Sequence, residues 1–418
     1  MDALNVYLDD QRVGHLSKKG VELSFRYAEE YLETTTPLPL SRHLPILSEQ
    51  PQQTFGDQAS RAFFENLLPE GDVRSQVARI LGISRENVFG LLAALGGDCA
   101  GAVSLLPPGE KPSGTGHYRP ISEIDLAKEL DQLPSHPFLT DEEGVRLSLA
   151  GAQNKLPIHY DGRTFSVPEG NAPTTHIIKT PIQNLEDTIV NEAFCMNLAA
   201  KLGLNVPKAG VIELNNKAFF LIERYDRKKT SGGCVMRLHQ EDFCQALGIL
   251  PSEKYEKEGG PGFASCFSLL REWSSEPLPD VAALLQWALF NFLIGNADAH
   301  GKNISFLYAD GQVRLAPFYD LISTAVYERQ VNNKFAMKFG GEKDPRYLLL
   351  QHLKHFAKEA GIGLRVIKME LLAFIGCLEK EGSFLVDEYR ERFNAPVVID
   401  RLVNVLQQRS EKARFMLR

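Results

Sequence analysis

The sequence predicts an α+β protein, rich in short strands up to about residue 225 and mostly helical after it. Three observations carry this. Apolar stretches such as Val21-Glu22-Leu23-Ser24-Phe25 and Ala218-Phe219-Phe220-Leu221-Ile222 read as strands. From Phe263 onward, helices dominate the apolar pattern. Between Asn291 and Asp320 an Asp in a loop, Asp298, is followed by Asn303, a hairpin and a second Asp, Asp320. The chain is long enough, at 418 residues, for two or three domains with large cores.

Charge and cysteine usage narrow the class. With 46 basic and 53 acidic residues the net charge is −7, which argues against a chain that grips nucleic acid broadly by itself. The six cysteines form no CxxC pair, so neither a zinc site nor a disulfide framework is expected. Reduced thiols and a cytoplasmic location are the expectation. No N-terminal apolar leader and no membrane span is read from the sequence.

In chain order, Leu4–Leu8, Val13–Leu16 and Val21–Phe25 read as three strands, the first two joined by a turn at Asp9-Asp10. Helices are expected over Ala59–Leu67, Val73–Leu81 and Asn87–Leu95, followed by a strand over Ala102–Leu106. The stretch Pro107–Gly116 reads as a linker, so domains are expected over residues 1–110, 111–225 and 226–418. The second begins its chemistry at VRLSLAGAQNKLP (Val145–Pro157), a strand over Arg146–Leu149 turning at Gly151 with Lys155 beyond. Exposed N–H groups and a Lys suit phosphate oxygens, though an ordinary hairpin has the same pattern and the Walker spacing is absent. His176-Ile177-Ile178-Lys179 is a strand ending in Lys. A helix over Leu185–Leu202 follows, carrying Glu186 and Glu192, with Glu192 the expected partner of Lys179. The apolar strand Ala218–Tyr225 ends in charge and leads towards a hinge. The polar, glycine-rich Thr230–Gly262 contains RLHQEDFCQALG, in which Glu241–Leu247 can make a short helix, and KYEKEGGPG; a loop of that length is functional or mobile. Helices are expected over Phe263–Trp273, Val281–Ile294, Tyr347–Ala360, Gly363–Gly376 and Val398–Phe415. The last holds Arg401, Arg409, Lys412 and Arg414, and Arg418 follows it: a solvated cluster, or a face for an acidic partner or DNA phosphates.

The apolar run Val281–Ile294, at about 14 residues, is too short to span a bilayer and reads as a buried helix stopped by Gly295-Asn296. Asp298 then sits just past a rigid element. The Asp310-Gly311 turn folds the following strands back, which returns Asp320 towards Asn303. A loop Asp, an Asn five residues on and a second Asp beyond a hairpin is the plan of a protein-kinase centre. There the first Asp takes the proton of the attacking hydroxyl, and the other two hold magnesium against ATP phosphates. The usual kinase signatures are absent: no His-Arg-Asp occurs, and Phe318-Tyr319-Asp320 stands where Asp-Phe-Gly would. Two other readings stay open: turn and helix capping by these residues, or a metal hydrolase with Asp298, His300 and Asp320 as ligands.

Four motifs together resemble the HipA family of bacterial serine/threonine kinases, the toxins of type II toxin–antitoxin modules. They are SLAGAQNK (Ser148–Lys155), RLHQEDFCQALG (Arg237–Gly248), GNADAHGKN (Gly295–Asn303) and Pro317-Phe318-Tyr319-Asp320. FFENLLPEG (Phe63–Gly71) and Gly96-Gly97-Asp98 resemble the family's N-terminal subdomain. The resemblance implies a two-lobed protein-kinase-like fold, with a β-rich N-lobe, an extra N-terminal subdomain and a mostly helical C-lobe. It implies Asp298 as catalytic base, with Asn303 and Asp320 on magnesium. The nucleotide would meet a phosphate loop of Ala150, Gly151, Ala152, Gln153, Asn154 and Lys155. Lys179, the hinge Glu223, Arg224 and Tyr225, and His300, Lys302 and Tyr319 would complete its site. It implies ATP and magnesium as cofactors and autophosphorylation at Ser148 as an off-switch. Two negative charges at the loop's root would compete with ATP phosphates for the same donors. The implied partners are a small helix-turn-helix antitoxin, DNA only through that complex, and a protein substrate, an aminoacyl-tRNA synthetase in the best-known members. A silent co-repressor bound to antitoxin, or a kinase of a lipid or small molecule, are the alternatives.

Overall fold

The computed structural model describes residues 2–417 except 48, 51, 113–115, 134–150, 152 and 395. The strand expected over Arg146–Leu149 lies outside the described residues. The chain divides into two compact units. The first comprises Met1–Thr180, Glu213–Ser252 and Leu307–Gly311; the second comprises Pro181–Ile212, Glu253–Phe306 and Gln312–Arg418.

The amino-terminal strands β1 (Ala3–Leu8), β2 (Gln11–Lys19), β3 (Glu22–Tyr27), β4 (Thr54–Phe55) and β5 (Val103–Leu106) form one antiparallel sheet in the order β4-β3-β2-β1-β5. Helix α1 (Glu29–Leu32) lies between β3 and β4 in sequence, and α2 (Asp57–Phe64), α3 (Gly71–Ile80) and α4 (Val88–Leu95) lie between β4 and β5. Val6, Leu16 and Phe25 from the strands and Phe63, Phe64, Val77 and Leu92 from the helices make a shared core. The alternation that marks the strands in sequence is what supplies one apolar face to that core.

Beyond it come β6 (His117–Pro120), α5 (Glu123–Gln132), β7 (Lys155–Tyr160), β8 (Phe165–Glu169), β9 (His176–Lys179), α6 (Thr188–Lys201), β10 (Ala209–Leu214) and β11 (Lys217–Glu223). The strand order is β10-β11-β9-β7-β8-β6. Helix α6 starts three residues later than the sequence pattern suggests, because Asp187 takes a left-handed φ of 53° that a helix cannot include. The polar stretch from Thr230 is not one long loop: β13 (Val235–Arg237), which pairs with β12 (Arg227–Lys229) just before the stretch, β14 (His239–Asp242) and the expected short helix, α7 (Phe243–Leu247), order it. Asp242 and Gln245 form a reciprocal capping box at the start of α7.

The second unit is built on α8 (Phe263–Trp273), α9 (Pro277–Ile294), α10 (Leu350–Ala360), α11 (Leu364–Arg392) and α12 (Val397–Leu417). Helix α9 packs against α8, α11 and α12. It begins at Pro277 rather than Val281, since proline suits the first helical position. Among the described residues it is the one helix long and apolar enough to cross a membrane. Every residue from Trp287 to Ile294 is buried, as befits a helix at the centre of a core. It stops at Gly295 with φ 69°, where a Cβ would come within 2.6 Å of the Ala325 Cβ. Helix α11 runs well past Gly376; that glycine is exposed, where a missing side chain weakens a helix without ending it. Strands β15 (Ser305–Ala309) and β16 (Gln312–Leu315) are joined through Asp310 and Gly311, both at positive φ as a tight hairpin turn requires.

Candidate active site

Around Asp298 the backbone is fixed by neutral amides and hydroxyls. Asn296 donates to the Asn291 Oδ1 at 2.8 Å, and its own Oδ1 accepts from the Asp298 N–H at 3.0 Å. The Ala297 N–H donates to Thr324 Oγ1 at 2.8 Å, and the Ala297 carbonyl accepts from Ala336 at 2.9 Å. Asn296, Ala297, Ala299 and His300 are all buried, while Asp298 between them is exposed. A carboxylate is thus held outward by a loop whose neighbours are clamped inward. Its Oδ1 accepts a hydrogen bond from the Tyr255 hydroxyl at 2.7 Å.

The remaining residues of this stretch follow closely. Gly301–Asn303 forms one 3-10 turn, and the Asn303 side-chain oxygen accepts from the His300 N–H at 3.4 Å. The Tyr319 hydroxyl donates to the Lys302 carbonyl at 2.6 Å and lies 2.8 Å from Ser305 Oγ. The Asp320 carbonyl accepts from Asn296 at 3.5 Å, which closes the segment on itself. Asp320 also sits at φ 54°, an uncommon conformation for a residue with a side chain. The second unit therefore gathers Asp298, His300, Lys302, Asn303, Tyr319 and Asp320 on one loop system. Among the described residues, Asp298, His300 and Asp320 do not gather as a three-ligand metal cluster, so the hydrolase reading finds no support.

In the first unit, antiparallel pairing sets Lys155 of β7 directly opposite Lys179 of β9. Paired residues share a sheet face, so the two lysines rise from the same side of the sheet. The Lys179 Nζ lies 5.6 Å from the Phe220 ring centroid. Gly151 has φ 117°, and a Cβ there would stand 2.8 Å from the Lys155 Nζ. The Gly151 carbonyl accepts from the Glu70 N–H at 3.0 Å. Gln153 donates to the Thr180 carbonyl at 2.8 Å, and the Thr180 N–H to the Asn154 carbonyl at 3.2 Å. Gly151, Gln153, Asn154, Lys155 and Lys179 are thus brought together. Ser148, Ala150 and Ala152 lie outside the described residues. Lys179 belongs to the first unit, whereas Glu192, buried in α6, belongs to the second.

Two family models match this chain: HipA N-terminal domain over residues 4–106 and HipA-like C-terminal domain over residues 147–379. The chain belongs to the HipA family. Within that family, Putative kinase Y4mE of Sinorhizobium fredii is 39% identical over 420 residues, covering 99% of both chains. The Serine/threonine-protein kinase toxin HipA of Shewanella oneidensis is 33% identical over 375 residues, covering 86% of this chain and 83% of that one. A solved complex of the Shewanella oneidensis toxin–antitoxin system, HipA with HipB and operator DNA, is similar with a TM-score of 0.82 and 29% identity. That match covers 99% of this chain and 97% of the other. The HipA relationship makes this chain a kinase of the expected kinase-like α+β class.

The residues expected to form the hinge, Glu223–Tyr225, rest on a feature the sequence did not announce. Arg224 is buried and grips Asp226 through two hydrogen bonds, at 2.9 and 2.7 Å. It also donates to Thr174 Oγ1 at 2.8 Å and to the Cys99 carbonyl at 2.9 Å. Asp98, equally buried, accepts from Arg227 at 2.8 Å, Arg237 at 3.0 Å and Thr174 at 2.8 Å. Burial alone would raise the Asp98 carboxyl; the guanidiniums of Arg227, Arg237 and Arg224 outweigh it and hold it well below the usual carboxylate range. The Arg224 side chain is therefore committed to this network, and its N–H already donates to the Thr175 carbonyl at 2.9 Å. Tyr225 donates to the Gln240 side chain. Nearby in sequence, Glu241 is fully buried and accepts from Ser41 Oγ at 2.6 Å, the Arg42 N–H at 3.1 Å and the Tyr308 hydroxyl. Desolvation pushes its carboxyl up to about 7, against the pull of those donors. Glu241 lies in the RLHQEDFCQALG motif, whose polar letters gave no sign that they would be buried.

Proposed function

We propose that this chain is the ATP- and magnesium-dependent serine/threonine protein kinase of a bacterial toxin–antitoxin module. The observation that carries the proposal is the exposed Asp298 on a clamped loop, followed by Asn303 and Asp320, in a chain of the HipA family. Asp298 takes the proton of a Ser or Thr hydroxyl as that oxygen bonds to the γ-phosphorus of ATP. The bond from γ-phosphorus to the bridging oxygen breaks, and ADP leaves with that electron pair. The amide oxygen of Asn303 and the carboxylate of Asp320 are hard donors and fit a magnesium ion that keeps water and phosphate as its other ligands. Magnesium, when bound, screens the phosphate charge. Lys155 and Lys179 meet phosphate oxygens with the Gly151–Asn154 loop, and backbone groups of Glu223–Tyr225 face the adenine edge. His300, Lys302 and Tyr319 line the nucleotide on the catalytic side. Ser148 is assigned as the autophosphorylation site that turns the kinase off.

The family resemblance implies the partners proposed here, and the solved complex of the Shewanella oneidensis HipA with HipB and operator DNA supports the first two. A small helix-turn-helix antitoxin binds the chain, DNA is reached only through that complex, and the protein target is an aminoacyl-tRNA synthetase in the cytoplasm. The co-repressor reading stays beside this one because the Shewanella oneidensis relative is a complex with HipB and operator DNA. The test is phosphate incorporation from γ-labelled ATP with magnesium, wild type beside Asp298→Asn, with intact mass recorded beforehand. Label on Ser148 in the wild type, lost in the variant and on chelation of magnesium, is the expected result. A chain that carries no phosphate and takes none would overturn the kinase proposal in favour of the co-repressor.

A further inference from the structure

The segment KYEKEGGPG, Lys254–Gly262, has no part in the assignment above. It is folded tightly. The Tyr255 carbonyl accepts from the Glu258 N–H at 2.8 Å and the Gly260 N–H at 3.0 Å. A Cβ at Gly260 would overlap the Glu253 carbonyl, so only glycine closes this turn. The segment is also bolted down. The Glu256 N–H donates to the Ala336 carbonyl at 3.2 Å, and the Glu256 carboxylate accepts from the Lys338 N–H at 2.5 Å and pairs with its Nζ at 3.2 Å. Ala336 in turn donates to the carbonyl of Ala297, the residue before Asp298.

This bracket carries one side chain to the catalytic loop. The Tyr255 ring stands edge-on to His300 at 5.3 Å, and the Lys254 and Lys257 ammonium groups each lie 5.4 Å from its centroid. Its hydroxyl donates to Asp298 Oδ1 at 2.7 Å, the length of a charge-assisted hydrogen bond. An exposed aspartate otherwise turns broadly about its last torsion. A donor fixed to one oxygen removes that freedom.

We infer that Tyr255 is a positioning residue for phosphoryl transfer: its hydroxyl holds Asp298 Oδ1 and leaves Oδ2 to take the acceptor proton. The inference rests on Asp298 being the base. Because the bracket is rigid, the phenol orients the carboxylate rather than vacating the site for each acceptor.

The test uses the full-length chain, stripped of phosphate by a phosphatase, and follows self-phosphorylation from γ-labelled ATP. Tyr255→Phe keeps the ring and removes only the hydroxyl. The rate at saturating ATP should fall about tenfold, while the ATP concentration for half-maximal rate and the thermal midpoint stay unchanged, since misorientation affects the chemical step. A wild-type rate in Tyr255→Phe, or a faster one, overturns the inference; a faster one would mean the phenol competes with the acceptor. A raised half-saturation or lowered midpoint would make Tyr255 merely structural. Asp298→Asn is run alongside. If it is inactive while Tyr255→Phe is normal, the positioning role alone fails; if it is fully active, or the wild type takes no label, the base assignment fails and the inference with it.

Discussion

In the first unit Asp98 and Asp226 are sealed among Arg224, Arg227 and Arg237, each carboxylate answered by guanidiniums at hydrogen-bond distance. In the second unit Asp298 stands exposed on a loop fixed by Asn291, Asn296 and Thr324, none of which is charged. Both regions are rigid, by different means. Where charges supply the rigidity, they are neutralised by doing so and have nothing left for a substrate. Where neutral amides and a hydroxyl supply it, the one carboxylate is left facing outward for chemistry.

The sharpest test of this contrast exchanges the losses. Asp298→Asn should lower phosphoryl transfer by up to about 10,000-fold, the usual range for a general base, and leave the thermal midpoint and ATP binding as they were. Asp98→Ala should do the reverse. It takes the buried carboxylate from Arg237 and leaves Arg224 and Arg227 with Asp226 alone, and should destabilise the fold by about 3–5 kcal/mol, read by chemical denaturation. A stable Asp98→Ala protein would mean that water reaches the network and that its burial is not what holds it.

Acidity separates two kinds of buried carboxyl within the first unit. The folded-state values of Asp98 and Asp226 are depressed, so their stabilisation is present at neutral pH and lost as the pH falls. Glu241 goes the other way. It is raised by burial from 4.5 to about 7, so its contribution is complete below 4.5 and lost as the pH rises through 7. Glu241→Gln, which stays neutral, should remove that alkaline decline, a difference of roughly 3 kcal/mol between pH 4.5 and 8. Denaturation midpoints across this range check it, and an unchanged slope would show that Glu241 is not the titrating group.

What could be read in the sequence was short in range. Gly295 as the helix stop, Asp298 and Asn303 just beyond it, and the Asp310-Gly311 turn all declare themselves within a few residues. Lys155 and Lys179 each stand out in sequence as phosphate ligands, but nothing there sets them opposite one another, and Lys155 opens β7 rather than ending a loop. The arginine–aspartate network could not be read. Asp98 and Arg237 are 139 residues apart, and a charged side chain bound for the interior looks the same in sequence as one bound for solvent. Tyr255 was hidden for a similar reason. Its motif was visible, but the bond from its hydroxyl to Asp298 spans 43 residues and depends on a bracket built from Glu256, Ala336 and Lys338.

The smallest expected effect lies at the carboxyl-terminal basic cluster, which in sequence could be a solvated face or a binding patch. On α12 its members go separate ways. Arg401 pairs with Glu186 at 3.4 Å, Lys412 donates to the Arg346 carbonyl at 2.9 Å, and Arg414 pairs with Glu379 at 2.7 Å. Arg401, Lys412 and Arg414 therefore each have an acceptor of their own. The Arg414–Glu379 pair is half-exposed on both sides, where water screens the attraction and ordering two long side chains offsets much of the rest. Arg414→Ala should therefore shift stability by under about 0.5 kcal/mol, and less still in high salt. A loss close to that of Asp98→Ala would mean that a surface pair can be worth as much as a sealed one, and the contrast between the two ways of holding charge would collapse.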